Sequence, residues 1–384
     1  MPKRKILIFS EMRPARQGWA GGYSAVTHGL ALALHEAGHE VKVLAMSYDK
    51  TPHDEPFAII PFLDFNYTEV QLNDIVDGWW PDAVVAAMDL PMQMEVFKAL
   101  KGKRKYIAVY PIEGEPVVTR WAEQASLFDS NLILSHFGVK AMKTAGLRRA
   151  KYFPCGITRG TGRAEPAQVQ EFRKLIQLED KYVVVKVADN HARKNWAHTI
   201  EFWSRWSPPD TVLYMVTRPD NPWGWNLDDL LEENGGQPVK GTKTWRWKDG
   251  KEVRMVSDLG RSDLSWIYNF ARERGCLLQD SGNEGLCLPI LEAMWVGLPV
   301  VGMNHTAIGE LLAEDRGFLF EPGYMFRDIF GNVKRYHPAY ETWAAAMTLA
   351  YTDQTERTRR ATLAQQFADA RPWAAAADAV LAEI

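Results

Sequence analysis

Residues 276–302 read CLLQDSGNEGLCLPILEAMWVGLPVVG, and their local grammar is strand, loop, helix, strand. Pro289 suits a first helical turn, where its missing N–H removes nothing, and Gly297 suits the position just past the helix end. Between them runs Pro-Ile-Leu-Glu-Ala-Met-Trp-Val, whose only polar residue is Glu292. A helix apolar on every side is buried, and an ionised carboxylate inside it is costly unless donors meet it. A polyhydroxylated ligand would supply such donors; so would a hidden arginine or a backbone amide. Glu284 lies in the loop, with Gly285, Leu286, Cys287 and Leu288 between it and the helix. Amides at a helix amino terminus favour anions and can hold hydroxyls, so this loop suits a phosphorylated sugar, although a solvated loop glutamate is the commoner arrangement.

Outward from this segment, short apolar runs alternate with helical stretches. Residues 6–9, 41–46, 83–88, 106–110, 132–135 and 152–154 read as strands of a first α/β layer system, and residues 182–187, 212–217, 253–256, 276–279 and 299–303 as strands of a second. Such alternation implies parallel sheets covered on both faces. The texture loosens through ITRGTGRAEPAQ, which places a boundary near Gly160. From about Glu341 the chain reads as alanine-rich helix. Two open α/β domains place ligands at the carboxyl ends of their strands.

The 384 residues carry a net charge of −3, from 45 basic and 48 acidic side chains, which excludes a histone-like polycation. Cys155, Cys276 and Cys287 form no CxxC pair, against a disulfide framework or thiolate zinc site. The opening MPKRKILIFS is too short in apolar residues for a signal-peptide core, so a cytoplasmic protein is expected. No DxD string occurs, and GxGxxG and P-loop strings are missing too, which weakens dehydrogenase and NTPase readings.

Arg193 and Lys194 stand where the strand at 182–187 passes into a helix beginning near Trp196, with Asn195 as its expected N-cap. Two cations there could neutralise a leaving diphosphate, or form a solvated pair. Gly21 and Gly22 precede a helix and could let a backbone approach a phosphate or an acceptor. Glu113 follows the strand at 106–110 and is a candidate for positioning an acceptor hydroxyl; His136, after the strand at 132–135, reads as structural. Lys98, Lys101, Lys103, Arg104 and Lys105 cluster, as do Arg148, Arg149 and Lys151, and either group suits an anionic surface or a solvated helix end. Residues 240–254 read as a hairpin with an Asp-Gly turn, whose interleaved cations and tryptophans suit a polyanion, a base or a sugar, or simply protect a sheet edge.

The string Glu-Gly-Leu-Cys-Leu-Pro-Ile-Leu-Glu at 284–292 resembles the EGFGLPxLE signature of the retaining glycosyltransferases of family 4. The resemblance extends through AMWVGLPVV, Gly309-Glu310-Leu311-Leu312 and Gly317-Phe318-Leu319-Phe320, and touches Gly21-Gly22, EAGHEV and VADNHARKN. It implies an α/β GT-B fold of two Rossmann-like domains facing a central cleft: an acceptor domain over 1–160, a nucleotide-sugar donor domain over 161–340, and helices over 341–384 crossing back toward the first domain. It also implies retaining, metal-independent transfer from a nucleotide diphosphate sugar (UDP- or GDP-sugar) to a hydroxyl acceptor, with no cofactor. The acceptor class stays open among glycan, lipid-linked, small-molecule and modified nucleic-acid hydroxyls, and peripheral contact with an anionic membrane through the lysine cluster stays open with it.

By the same resemblance Glu292 binds the donor ribose, Glu284 contacts sugar hydroxyls near the reacting carbon, the amides of Gly285 to Leu288 orient the sugar, and Lys194 serves the diphosphate. Residues Ser257, Asp258 and Leu259 fall near the base. Two positions depart from the family pattern: Cys287 stands for a second glycine, and Asp189 for an arginine that faces the diphosphate. Either Arg193 takes over that charge or the diphosphate is held less tightly. A catalytically silent nucleotide- or sugar-binding module, and a nucleotide-sugar epimerase or phosphorylase on the same fold, are the alternatives.

Overall fold

The computed structural model describes residues 2–13, 21–257, 259–329 and 332–384. The chain divides into two compact units, the first taking Met1–Arg159, Ile329–Val333 and Arg371–Ile384 and the second Gly160–Asp328 and Lys334–Ala370.

The first unit runs β1 (Lys5–Glu11), α1 (Gly22–Glu36), β2 (Glu40–Met46), β3 (Ala58–Pro61), α2 (Thr68–Trp79), β4 (Ala83–Ala87), α3 (Leu90–Leu100), β5 (Lys105–Tyr110), α4 (Thr119–Ala125), β6 (Ser130–Ile133), α5 (His136–Thr144) and β7 (Ala150–Tyr152). Among the described residues its sheet has the order β3-β2-β1-β4-β5-β6-β7, and every pairing is parallel. Central β4, AVVAA, is buried throughout, as a strand covered on both faces must be. The direction of strand progression reverses between β1 and β4, which opens a crevice at their carboxyl ends.

The second unit runs α6 (Pro166–Leu175), β8 (Tyr182–Val187), α7 (Trp196–Trp206), β9 (Thr211–Val216), α8 (Leu227–Glu233), β10 (Gln237–Pro238), β11 (Thr244–Arg246), β12 (Glu252–Val256), α9 (Arg261–Arg272), β13 (Gly275–Gln279), α10 (Leu288–Val296), β14 (Val300–Met303), α11 (Thr306–Leu312), β15 (Phe318–Phe320), β16 (Pro322–Arg327), β17 (Lys334–Pro338), α12 (Tyr340–Thr352) and α13 (Gln354–Asp369). Its main sheet has the order β10-β11-β12-β9-β8-β13-β14-β15, parallel except for the antiparallel pairings of β11 with β10 and β12. The reversal here lies between β8 and β13.

The last helix, α14 (Trp373–Leu381), belongs to the first unit and packs on α1. Its Trp373 fills space that two glycines leave open: a Cβ on Gly29 would come within 2.1 Å of the indole and one on Gly156 within 2.8 Å.

Strands β3, β10 and β15 and the β16–β17 hairpin lie outside the expected set. The edge strands are only two to four residues long, β16 (PGYMFR) is largely exposed, and β17 (KRYHP) is too polar to show an apolar run. The hairpin expected over 240–254 is present as β11 and β12, with Gly250 at φ +96° in its turn. Trp245 and Trp247, however, are buried, so the hairpin does not offer them to a ligand. The lysine cluster is partly neutralised: Lys98 pairs with Glu95 at 3.8 Å, Lys103 with Asp77 at 2.6 Å, and Lys101 with Glu69.

Candidate functional site

The loops that follow β8 and β13 meet at the carboxyl edge of the second sheet, where strand order reverses. Parallel pairing brings β8 and β13 side by side although some 90 residues separate them in the chain, and the side chains after them then touch. Lys194 Nζ donates to Glu284 Oε1, and Arg193 Nη1 lies 3.4 Å from Glu284 Oε2 and 3.2 Å from the Asn283 carbonyl. Burial by itself would raise the Glu284 carboxyl, but the Lys194 and Arg193 charges overcome it and hold the group down at about 2. Its backbone is fixed as well, because the Glu284 N–H donates to Thr306 Oγ1 at 3.0 Å.

A second ion pair lies beneath the first. Lys186, the one charge in the apolar strand YVVVKV, is fully buried and donates to Asp280, to Thr199 and to the Lys194 carbonyl at 2.7 Å, with its ammonium 4.5 Å from the Trp196 ring centre. Thr199 donates to the other Asp280 oxygen at 2.7 Å. Burial pushes the Lys186 ammonium down, and Asp280 works against that push. The pair ties the end of β8, the start of α7 and the end of β13 together, directly behind Lys194. Sequence reading passed over it. A lysine inside an otherwise apolar strand was the available signal.

Asn195 occupies the N-cap position of α7 but does not cap it through its side chain; its φ is +54°. Its amide instead donates to the buried Asp280 carbonyl at 2.6 Å and to the Tyr336 carbonyl at 3.3 Å. Asparagine tolerates the left-handed region, and here two carbonyls compete for its donors.

Helix α10 forms as its punctuation requires, with Pro289 in its first turn and Gly297 at φ +82° closing it. Cys287 precedes it at φ +71°, in the left-handed region. Glycine enters that region without cost, which gives a physical reason for a glycine in the resembled signature. Cysteine reaches the same conformation at about 1–2 kcal/mol. Burial also pushes the Cys287 thiol well up, so it stays protonated. Gly285, Leu286 and Cys287 are all buried, and among the described residues their amides meet no acceptor. Buried amides are nearly always paired, so three in a row opening on a helix amino terminus form a ready anion-binding surface. Glu292 is buried on α10 and accepts from the Tyr268 hydroxyl of α9 at 2.9 Å, a partner that no local pattern announced.

Asp189 does not join this cluster. It accepts from Arg218 Nε at 3.0 Å and from Asn221 Nδ2 at 3.1 Å. Burial alone would raise its carboxyl; the Arg218 hydrogen bonds and charge turn the net shift downward.

Thus Arg193, Lys194, Glu284 and the amides of residues 285–287 come together at one edge, with Leu288 opening α10 beside them and Glu292 one turn along it. Gly21, Gly22 and Glu113 belong to the first unit. Gly21 is the N-cap residue of α1, and a Cβ on it would come within 2.9 Å of the Glu11 carboxylate; Gly22 opens the helix. Glu113 is half-buried just past the carboxyl end of β5. His136 stacks on Tyr152 with ring centres 3.9 Å apart. Asp258 lies outside the described residues.

Residues 169–328 match the family described as glycosyl transferases group 1. No curated protein sequence matches the chain significantly. Anabaena HepE, solved in complex with UDP-glucose, aligns at TM-score 0.72 and 15% identity over 99% of this chain and 100% of its own. Sucrose-phosphate synthase from Thermosynechococcus elongatus aligns at TM-score 0.75 and 15% identity over 99% and 98%. WaaG, a glycosyltransferase involved in lipopolysaccharide biosynthesis, aligns at TM-score 0.67 and 16% identity over 98% of each chain. The α/β fold with parallel sheets is therefore that of the GT-B glycosyltransferases.

Proposed function

We propose that this chain, with its group 1 glycosyltransferase domain over residues 169–328, is a retaining glycosyltransferase. It moves a sugar from a nucleotide diphosphate sugar, a UDP- or GDP-sugar, to an acceptor hydroxyl. The observation that carries the reading is the Arg193–Lys194–Glu284 cluster beside the amides of 285–287, which meet no acceptor among the described residues, at the strand-order reversal of the second sheet.

Departure of a nucleoside diphosphate places growing negative charge on the leaving oxygen, and fixed cations and amide dipoles stabilise it without reorganising. Lys194 and Arg193 fill that role, and the amides of Gly285 to Leu288 hold the sugar or the phosphate next to it. Glu284, ionised at any physiological pH, keeps both cations in place and accepts from sugar hydroxyls when the donor is bound. Glu292 accepts from the ribose, sharing its carboxylate with Tyr268. A same-face mechanism, in which the leaving phosphate oxygen takes the acceptor proton, needs positioning and charge stabilisation rather than a protein nucleophile. Gly21, Gly22 and Glu113 serve the first unit's side of the reaction, with Glu113 orienting the acceptor hydroxyl. Residues 1–160 act as the acceptor domain and 161–340 as the donor domain.

The test is nucleotide release from UDP-, GDP- and ADP-sugars, with and without pooled acceptors, by the wild type, Glu292→Ala and Lys194→Ala. Release from one donor, lost in both variants, supports the reading. Binding of a nucleotide without release from any donor overturns it in favour of a silent module.

A further inference from the structure

Residues 217–226, TRPDNPWGWN, connect β9 to α8 and leave the sheet at the carboxyl end of β9, next to β8. They therefore share the sheet edge that carries Lys194 and Glu284. Trp223 is 80% exposed and Trp225 40% exposed.

A floppy loop exposes tryptophan by default, but this loop is built. Asn190, fully buried, brackets Trp225: its Oδ1 accepts from the Trp225 N–H at 3.0 Å and its Nδ2 donates to the Trp225 carbonyl at 2.8 Å. The same Nδ2 reaches the Pro219 carbonyl at 3.1 Å. No side chain fits at Gly224, where a Cβ would come within 2.4 Å of Asn190. Asp189 fixes the other limb through Arg218 and Asn221, and Asn221 Oδ1 accepts from the Trp223 N–H at 3.0 Å. The position that departs from the resembled signature thus has a task of its own: it holds a loop that presents two indoles to solvent.

The charge around the loop selects the ligand. Residues 218–233 carry a single cation, Arg218, already paired with Asp189, against Asp220, Asp228, Asp229, Glu232 and Glu233; Lys243 pairs with Asp228 at 2.7 Å, and the balance stays acidic. Such a surface repels phosphorylated polymers and anionic lipid. It does not repel a neutral sugar, whose C–H face packs on an indole while its hydroxyls donate to carboxylates.

We propose that residues 217–226 form a saccharide-binding platform, with Trp223 and Trp225 stacking on the rings of a neutral glycan. This rests on the transferase reading in one respect, that the glycan is its acceptor or the sugar part of it; the platform itself is tested without turnover.

Calorimetric titration of the full chain with maltoheptaose, cellohexaose and chitohexaose is the experiment, run on the wild type, Trp223→Ala, Trp225→Ala and Trp223→Phe. At least one oligosaccharide binds, and Trp223→Ala weakens it by about tenfold or more while Trp223→Phe restores part of the loss. UDP affinity stays within about twofold throughout, because the substituted rings are on the surface. The proposal is overturned if none of the three oligosaccharides binds, or if binding ignores both alanine variants. It is also overturned if Trp223→Ala lowers UDP affinity, making the ring a nucleoside contact, or abolishes co-sedimentation with phosphatidylglycerol vesicles. Nucleotide release without glycan binding would sink the platform and leave the transferase reading standing; glycan binding without release from any donor would do the reverse.

Discussion

Replacing Glu284 by glutamine removes the one carboxylate that Lys194 and Arg193 share, and the acid limb of stability reports it. The carboxyl is held at about 2 in the folded chain against an ordinary 4.5. A depressed carboxyl stabilises the fold fully above its unfolded value and loses that contribution as pH falls through its folded value. Between pH 4.5 and 2, therefore, the wild type loses an advantage that Glu284→Gln never had. At about 1.4 kcal/mol per pH unit the whole loss is roughly 3 kcal/mol, with roughly 1 kcal/mol already gone by about pH 3.5. Because Glu284 is buried, solvent does not screen this pair as it does a surface one. Urea unfolding of both proteins, followed by tryptophan fluorescence from about pH 6 down to about pH 3, reads the difference between them. The gap stays level above about pH 4.5 and then narrows. Lys194→Met makes the narrowing smaller and ends it at a higher pH, since the larger of the two charges holding the carboxyl down is gone, while its onset stays near the unfolded value of 4.5. A gap that stays flat down to pH 3, or that closes well above pH 4.5, would refute the electrostatic account of the site.

Lys186→Met strands the buried Asp280 carboxylate and lowers stability by about 3–5 kcal/mol in chemical denaturation, whereas the double variant Lys186→Met/Asp280→Leu regains most of it. Cys287→Val forces a β-branched side chain into the left-handed region and costs about 2 kcal/mol or more, measured the same way; Cys287→Gly relieves the strain but leaves the space of a buried thiol. On the proposed reading, in which Lys194 and Arg193 carry the charge compensation, nucleotide release from the preferred donor persists in excess EDTA; loss of release that is restored by added magnesium would count against that assignment.

Much of the second unit's working edge is written locally. Pro289, Gly297 and the apolar run between them are punctuation that acts within a turn or two of the chain, so the helix and its flanking strands could be placed without knowing what surrounds them. Glu292 was legible for the same reason, as a lone carboxylate in an apolar helix. Strand alternation likewise announced two parallel sheets, and β3, β10, β15, β16 and β17 escaped because they are too short or too polar to leave an apolar pattern.

Which residues meet was decided elsewhere. Lys194 and Glu284 stand 90 positions apart, and Lys186 and Asp280 stand 94 apart; only the pairing of β8 with β13 makes them neighbours. Tyr268 finds Glu292 only when α9 packs beside α10. Asp189 illustrates the limit most plainly. Along the chain it is a charge that departs from the resembled motif, and in the fold it anchors a loop through Arg218, 29 residues later. Local sequence determined the backbone's shape because propensity and capping act over a few residues. The partners of each charge followed from sheet assembly, since burial and Coulomb attraction act on distances in space that the order of residues does not contain.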